Sequence, residues 1–296
     1  MRAAEKSGRS VWGAAASAAT AAVAGADGFD VTVDTATALR RAAAADALVV
    51  VAVPLQALPA VLALVGAHAP TCRLTDAVSV KVPVADLVAA HAPHTRFVGG
   101  HPMAGTAESG WSAGTAELFA DAAWVLASDD GADQQVWADV ADLAWACGAR
   151  VVPAASDEHD LAVARISHLP HLFAAVLAAV GAEGDAEGAL ALALAAGSFA
   201  DGTRVAGTRP ELVLAMCEGN RDALLGAVDA ALGRLGAMRG ALASTGGLGR
   251  TVEAGYAARQ LWAQAQDPPQ VRVRRGTGMP DLRDIGRRGA VITGWE

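Results

Sequence analysis

A run of six apolar residues at positions 48–53, LVVVAV, constrains the fold of this chain more than any other feature. Its β-branched side chains favour a strand, and a strand that is apolar throughout has no face for solvent. Such strands occur in parallel sheets whose two faces are both covered by helices. The run therefore predicts a central parallel strand, and Pro54 begins the loop that follows it.

Short β-like runs alternate with alanine-rich helical stretches throughout the first half of the chain. Further strand candidates lie at residues 11–12, 30–33, 73–75, 96–98, 123–127 and 150–152. Strands that alternate with helices predict βαβ units. The first half is therefore expected to have the α/β class, with a Rossmann-like doubly wound parallel sheet.

The pattern changes after Pro153. Ser156 is a good N-cap, two acidic residues follow it, and helical periodicity then extends over residues 156–181, 187–196, 210–243 and 248–264. We therefore expect a dinucleotide-binding domain over residues 1–153 and an all-helical domain over residues 154–265. Residues 266–296 are rich in arginine, glycine and proline, and they predict an irregular basic tail with one short strand.

The usual opening of a doubly wound dinucleotide fold is not found in this sequence. That opening is a strand, a Gly-x-Gly-x-x-Gly turn and a helix whose N-terminus receives the pyrophosphate. Here residues 1–6 resemble the end of the first helix, and the second strand of the fold follows at once. We expect the sequence to begin downstream of the true start, with the first strand and the phosphate loop missing.

Composition narrows the class of protein. The chain has 296 residues, 53% of them hydrophobic and 18% charged, which is typical of a globular protein, and its net charge of −8 argues against a nucleic-acid partner. No apolar run is long enough to predict a membrane span, and the N-terminus lacks a signal peptide. Three widely spaced cysteines suit a reducing compartment, so we expect a cytoplasmic protein.

Three of the predicted strands end in residues that are able to bind or react. Pro54, Ser79 and His101 each follow a strand, and the carboxyl ends of parallel strands meet at the ligand crevice. Residues 99–111, GGHPMAGTAESGW, contain too much glycine and proline for a helix or strand of that length, so we expect irregular backbone there. Such backbone favours a histidine aimed at a ligand, the alternative being a capping or core histidine.

Two motifs stand out in the helical half. SHLPH, residues 167–171, puts His168 and His171 on one helix face, and Pro170 predicts a kink. No third ligand has suitable spacing, so we assign no metal site. GSFADGTR, residues 197–204, breaks two helices and ends in Arg204, which is either a solvated arginine or a guanidinium for a substrate carboxylate.

With SVK at 79–81, GGHPMAGT at 99–106, SHLPH at 167–171 and GSFADGTR at 197–204, in this order, the chain resembles the prephenate dehydrogenase family. The resemblance covers residues 1 to about 265. It implies a dinucleotide-binding domain joined to a helical domain that forms a homodimer, with the active site in the cleft between them. It also implies NAD(P)-dependent oxidative decarboxylation of prephenate to 4-hydroxyphenylpyruvate in tyrosine biosynthesis.

The resemblance also implies a role for individual residues. His101 would be the base that accepts the proton of the ring hydroxyl, and Ser79 would hydrogen-bond the same hydroxyl. Substrate-binding roles fall on four residues of the helical half, namely His171, Arg204, Gly197 and Asp201.

The cofactor is expected to be NAD or NADP, with Val53, Pro54 and Ser79 as cofactor-binding residues. Residues 13–17, GAAAS, offer neither an acid for a ribose hydroxyl nor an arginine for a 2′-phosphate, and of the two we favour NAD. Two alternatives stay open. The substrate is arogenate instead of prephenate, or the chain is a non-catalytic remnant that only dimerises or binds an aromatic acid.

Overall fold

The computed structural model describes residues 1–105, 110–244 and 246–296. Thr106, the last residue of the GGHPMAGT motif, lies outside the described residues. The chain divides into two units, each of which makes most of its contacts within itself. The first contains Met1–His159 and Pro268–Glu296, and the second contains Asp160–Asp267.

The first unit alternates strands and helices in the rhythm that the sequence predicts. Its strands up to the second unit are β1 (Trp12–Ala14), β2 (Asp30–Thr32), β3 (Leu48–Val51), β4 (Arg73–Asp76), β5 (Arg96–Phe97), β6 (Gly100–Pro102), β7 (Ala123–Ala127) and β8 (Arg150–Ala154). Its helices in the same part are α1 (Arg2–Lys6), α2 (Ala18–Ala26), α3 (Thr35–Ala44), α4 (Leu58–His68), α5 (Val82–His91) and α6 (Gln134–Ala146).

The second unit is helical. Its helices are α7 (Ser156–Val163), in which the unit begins, α8 (Leu169–Gly181), α9 (Asp185–Ala193), α10 (Gly197–Thr203), α11 (Pro210–Gly219), α12 (Arg221–Leu242) and α13 (Leu248–Gln264). The continuous helix predicted for residues 210–243 is interrupted at Asn220, where α11 ends and α12 begins. A small core of Ala164, Cys217, Leu224 and Ala227 holds the unit together.

The last residues are not an irregular tail, which corrects the expectation for residues 266–296. They form β9 (Gln270–Val273), α14 (Met279–Arg287) and β10 (Val291–Trp295), and they belong to the first unit. The reason is an apolar face hidden among the arginines: Val273, Leu282 and Ile292 are all buried in the first unit's core. Net charge therefore concealed the periodicity of this segment.

The described residues of the first unit contain three sheets. One pairs β1 with β2, the second has the order β3-β4-β5, and the third has the order β6-β7-β8-β10-β9. All pairs in the first two sheets are parallel, which confirms the α/β prediction. Within the described residues, β1 pairs only with β2 and β3 only with β4, so each of these strands has one edge without a partner strand.

The strand β6 corrects the expectation of irregular backbone at the start of GGHPMAGT. Gly100, His101 and Pro102 pair antiparallel with Leu126, Val125 and Trp124 of β7. Because β6 is the edge strand of the third sheet, Pro102 removes no hydrogen bond from a second neighbour. Glycine and proline therefore mark a short edge strand here.

The second unit exposes many apolar side chains. Val180 is 63% exposed, Leu194 is 73% exposed and Leu242 is 71% exposed.

The helical stretch Ser156–Gly181 is long and apolar enough to cross a membrane by length and composition alone, with a mean hydropathy of 1.5. The expectation that no segment passes this test is therefore wrong, because Arg165 is the only charged residue in 161–181.

Candidate active site

His101 is held on β6 by a second histidine. It lies opposite Val125 of β7 and is only 9% exposed. Its Nδ1 lies 2.8 Å from Nε2 of His159, and the two rings meet edge to face with centroids 5.1 Å apart. A hydrogen bond between two imidazoles therefore fixes the orientation of the His101 ring.

The sequence prediction did not include His159. This residue lies in α7, 58 positions after His101, and it is 3% exposed. The start of α7 is anchored, since the backbone N–H and the hydroxyl of Ser156 donate to Asp129 at 2.8 and 2.6 Å. The acidic residues after Ser156 predict a helix start, but no local pattern indicates a contact across so many residues.

A buried ion pair fixes the backbone on both sides of the site. Lys81 Nζ lies 2.5 Å from Asp76 Oδ1 and donates to the carbonyl of Gly100 at 2.5 Å. The Asp76 carboxylate accepts from the backbone N–H of Gly100 at 3.2 Å and from that of Val78 at 2.8 Å. One carboxylate therefore ties the loop that carries Ser79 to the strand that carries His101.

Burial and the ammonium act in opposite directions on this carboxylate. Asp76 and Lys81 are each 1% exposed. Burial raises the pKa of Asp76, while the neighbouring Lys81 and the backbone N–H donors of Val78 and Gly100 lower it. A buried pair of this kind is costly to break because either partner alone would be an uncompensated charge.

Gly99 and Gly100 are needed for close approach. A Cβ on Gly100 would lie 2.7 Å from the carbonyl oxygen of Asp76, and a Cβ on Gly99 would lie 3.2 Å from Cδ of Lys81. Neither glycine has a positive φ. The two glycines therefore let β6 pass against the buried ion pair, and they do not provide a left-handed turn.

Ser79, Val53 and Pro54 lie after the adjacent parallel strands β4 and β3. Ser79 and Val53 are half-buried, and Pro54 is exposed. The carboxyl ends of parallel strands are where dinucleotide-binding folds hold their ligand, and these residues follow two such ends. In the described part of the chain, no Gly-x-Gly-x-x-Gly turn leads from a strand into a helix.

The two histidines of SHLPH have different surroundings. His168 is 1% exposed, and its Nδ1 lies 3.2 Å from Nδ2 of Asn220, which also donates to the carbonyl of Asp160 at 2.7 Å. His171 is half-buried, and its Nδ1 donates to the carbonyl of Ser167 at 2.9 Å. His168 is therefore a core residue, while His171 has the lone pair of its neutral ring on Nε2.

Pro170 lies in the first turn of α8, directly after a π-helical turn at Ala164–His168, and both belong to the helical stretch Ser156–Gly181. A proline inside a helix lacks the N–H that would bond the carbonyl four residues earlier, which fits a change of hydrogen-bonding pattern at this point. The kink expected from the sequence stays a prediction. Within residues 1–105, 110–244 and 246–296, no three histidine, cysteine or acidic side chains form a group that could hold a metal ion.

The residues of GSFADGTR lie on the surface of the second unit. Gly197 and Asp201 are exposed on α10, and Arg204 is exposed in the 3₁₀ turn Arg204–Gly207 that follows it. Both α10 and this turn pack against α8, the helix of His171. The second unit therefore brings the elements that carry Arg204 and His171 together.

Comparison with known proteins matches two family models to the two halves of the chain. Residues 2–153 match the model of the prephenate dehydrogenase nucleotide-binding domain, and residues 155–247 match that of the prephenate dehydrogenase dimerization domain. A cyclohexadienyl dehydrogenase of Zymomonas mobilis is 35% identical over 206 residues, which are 68% of this chain and 69% of that protein.

Solved structures extend the similarity to nearly the whole chain. A Corynebacterium glutamicum structure described as a prephenate dehydrogenase has 42% identity and a TM-score of 0.92, and the match covers 99% of this chain and 94% of that one. The arogenate dehydrogenase of Synechocystis has 26% identity and a TM-score of 0.75, with 88% of this chain and 94% of that one covered.

A nucleotide-binding α/β domain and a helical dimerisation domain, both matched by prephenate dehydrogenase models, define an NAD(P)-dependent oxidoreductase. Its Rossmann-like fold agrees with the doubly wound prediction. The chain belongs to the prephenate dehydrogenase family.

Proposed function

We propose that this protein catalyses the NAD(P)-dependent oxidative decarboxylation of prephenate to 4-hydroxyphenylpyruvate, a step of tyrosine biosynthesis. The observation that carries the proposal is the buried His101, whose Nδ1 is engaged by His159. The reaction must then use its other nitrogen, Nε2. A neutral imidazole suits a general base near neutral pH, and such catalysis is typically worth ~10²–10⁴ in rate.

In this mechanism His101 Nε2 takes the proton from the ring hydroxyl of prephenate, and the Ser79 hydroxyl hydrogen-bonds the same oxygen. Bound NAD(P) supplies the acceptor for the hydride that leaves the carbinol carbon. The bond to the ring carboxylate then breaks and CO₂ leaves. The electron pair of the broken bond stays with the ring and makes it aromatic. The ring oxygen then regains a proton, so that the product is a phenol.

Substrate binding falls to the second unit in this proposal. Arg204 pairs with a carboxylate of the dianionic substrate, because a guanidinium binds a carboxylate through two parallel hydrogen bonds. His171 contacts the substrate through Nε2, since its Nδ1 already donates to the Ser167 carbonyl. Gly197 and Asp201 line the same pocket, and their support is the packing of α10 against α8.

For the cofactor, Val53, Pro54 and Ser79 are proposed to contact the nicotinamide side. Of the two dinucleotides we favour NAD, since the segment after β1 carries no arginine for a 2′-phosphate. Titration of the purified protein with NAD and NADP, followed by calorimetry, tests this choice. Tighter binding of NADP would overturn it.

We also propose a cytoplasmic homodimer built through the second unit. The support is the match to a dimerisation domain together with exposed apolar residues such as Val180, Leu194 and Leu242. Burying such side chains against a second copy removes apolar surface from water. Sedimentation of the wild type should give a dimer and Val180→Glu should shift it towards monomer, whereas a monomeric wild type would contradict the proposal.

Arogenate is the alternative substrate, and the Synechocystis relative, an arogenate dehydrogenase, supports it. The two substrates share the ring and differ in a keto or amino group on the side chain. Measuring NAD(P)H formation with each of them decides the question, because a larger kcat/KM for arogenate would replace prephenate. Binding of the aromatic acid with no turnover of either would instead support the non-catalytic reading.

A further inference from the structure

His159 is a polar residue in direct contact with the proposed base, and it has no role in the mechanism so far. Its Nε2 is 2.8 Å from Nδ1 of His101, a normal hydrogen-bond distance, and both side chains are buried. The two rings come from different elements, β6 and α7, so the contact depends on the tertiary fold.

A bond between two ring nitrogens needs one donor and one acceptor. If His159 donated, the neutral His101 ring would carry its proton on Nε2 and would have no lone pair there for the substrate proton. If His101 donates from Nδ1, its lone pair is on Nε2, and the ring stays a donor at Nδ1 after it is protonated. Only the second direction is compatible with catalysis by Nε2.

We propose that His159 is a positioning residue that holds His101 in its Nδ1–H tautomer, accepting a hydrogen bond from it before and after the proton transfer. This inference rests on the proposed function for its consequence, because the tautomer matters only if His101 is the base. In several enzymes a carboxylate orients the catalytic histidine. Here an imidazole does so, and it adds no negative charge to a buried site.

The anchoring of α7 supports the role of His159. Ser156 is bonded to Asp129 in the loop after β7, and Glu158, the residue before His159, pairs with Arg287 of α14 at 2.8 Å. β7 is also the strand that pairs with β6. The helix that presents His159 and the strand that presents His101 are therefore both fastened to β7 and its loop.

The tautomer can be measured without substrate. The protein has seven histidines, few enough for ring-nitrogen NMR of ¹⁵N-histidine-labelled protein, with His101→Asn identifying the His101 signals by their loss. We expect His101 to carry its proton on Nδ1 and the variant His159→Leu to shift it towards Nε2. A proton on Nε2 of His101 in the wild type would overturn the inference, whatever substrate the enzyme oxidises.

Kinetics of two substitutions test the consequence. His159→Gln places an amide oxygen near the former Nε2, so kcat should stay within about threefold of the wild type, whereas His159→Leu should lower kcat by about 10–100-fold with KM little changed. The control His94→Gln changes an exposed histidine of the same unit and should have no effect.

Equal losses in the Gln and Leu variants, or full activity in the Leu variant, would contradict the inference. Thermal melts of both variants identify any misfolded protein, and the Gln variant keeps the test available if the Leu variant does not fold. Failure of the proposed function has a different signature, because the Nδ1–H tautomer would then be observed in a protein that oxidises neither prephenate nor arogenate.

Discussion

The proposed base, His101, and the arginine proposed to bind a substrate carboxylate, Arg204, have opposite surroundings. His101 is buried, bonded to His159, and carried on a strand that the Asp76–Lys81 pair clamps. Arg204 is exposed in a short 3₁₀ turn, and it forms no ion pair with the residues of its unit that the structure describes. One side chain is held in place by its neighbours, whereas the other has no ion-pair partner to hold it among the described residues of its unit.

This contrast follows from what each group must do. A base has to meet a particular proton within hydrogen-bond distance, so fixing it in advance removes reorganisation from the chemical step. A guanidinium that recognises a carboxylate gains its hydrogen bonds from the ligand itself. Changes around His101 are therefore expected to affect turnover or folding, and changes at Arg204 are expected to affect substrate affinity.

The largest effect is expected at the base. His101→Asn should lower kcat by ~10²–10⁴ with little change in KM, because the base acts in the chemical step. Steady-state measurement of NAD(P)H formation checks this, and calorimetry with prephenate checks that the variant still binds. Near-normal turnover would show that His101 is not the base, and the comparison with Arg204 would then no longer hold.

Breaking the buried ion pair comes next. Lys81→Met leaves Asp76 as an unpaired buried charge, so the free energy of unfolding should fall by about 3–5 kcal/mol in urea denaturation. The chain offers a matched control, since its other lysine, Lys6, pairs with Glu117 at the surface and Lys6→Met should have no measurable effect.

A double variant shows whether the cost comes from the lone charge. Asp76→Asn/Lys81→Met should recover part of the loss, because the neutral amide oxygen still accepts from a backbone N–H. If the double variant were less stable than Lys81→Met, the ion pair would not be the feature that fixes β6.

Arg204 tests the exposed half of the comparison. Arg204→Gln should raise the KM for prephenate about tenfold or more, because the substrate loses a charged hydrogen-bonding partner. The free energy of unfolding should change by less than about 0.5 kcal/mol. The control is Arg209→Gln, an exposed arginine just before α11. An unchanged KM would remove Arg204 from the carboxylate site.

Local patterns predicted most of the elements but few of the contacts that matter at the site. The apolar, β-branched run at 48–53 predicted a strand from six residues alone, and β3 (Leu48–Val51) is parallel to β4. The prediction of a central strand with no face for solvent was wrong in the described residues, because β3 has one edge without a partner strand and Val50 is 42% exposed. The His101–His159 bond joins residues 58 positions apart, so no local signal could reveal it. Motif resemblance supplied roles for Ser79 and Arg204, which remain predictions.

Two regions were misjudged because composition masked pattern. At GGHPMAGT, glycine and proline suggested irregular backbone, whereas Gly100 lets a strand pass Asp76, whose carbonyl oxygen would lie 2.7 Å from a Cβ on Gly100. In the last residues, the many arginines masked the apolar residues of α14 and β10 that are buried. In both cases the deciding contacts come from other elements: Asp76 of β4 and the strand β7 for Gly100, and β8 for β10.

The smallest effect is expected at the surface ion pair between Arg287 of α14 and Glu158 of α7. The Arg287 hydrogen bond lowers the pKa of Glu158, so this pair stabilises the fold above the usual glutamate pKa and the contribution is lost as pH falls through the lowered value. Arg287→Ala should therefore lower the melting temperature by less than about 4 °C at pH 7, and the difference should vanish in acid.

The control Arg274→Ala breaks an exposed pair with Glu296, away from α7, and should leave kcat unchanged. If α14 helps to hold α7 in place, Arg287→Ala should also lower kcat slightly, by about twofold. A melting difference that grew towards acid pH would mean that Glu158 is not the partner through which Arg287 stabilises the fold.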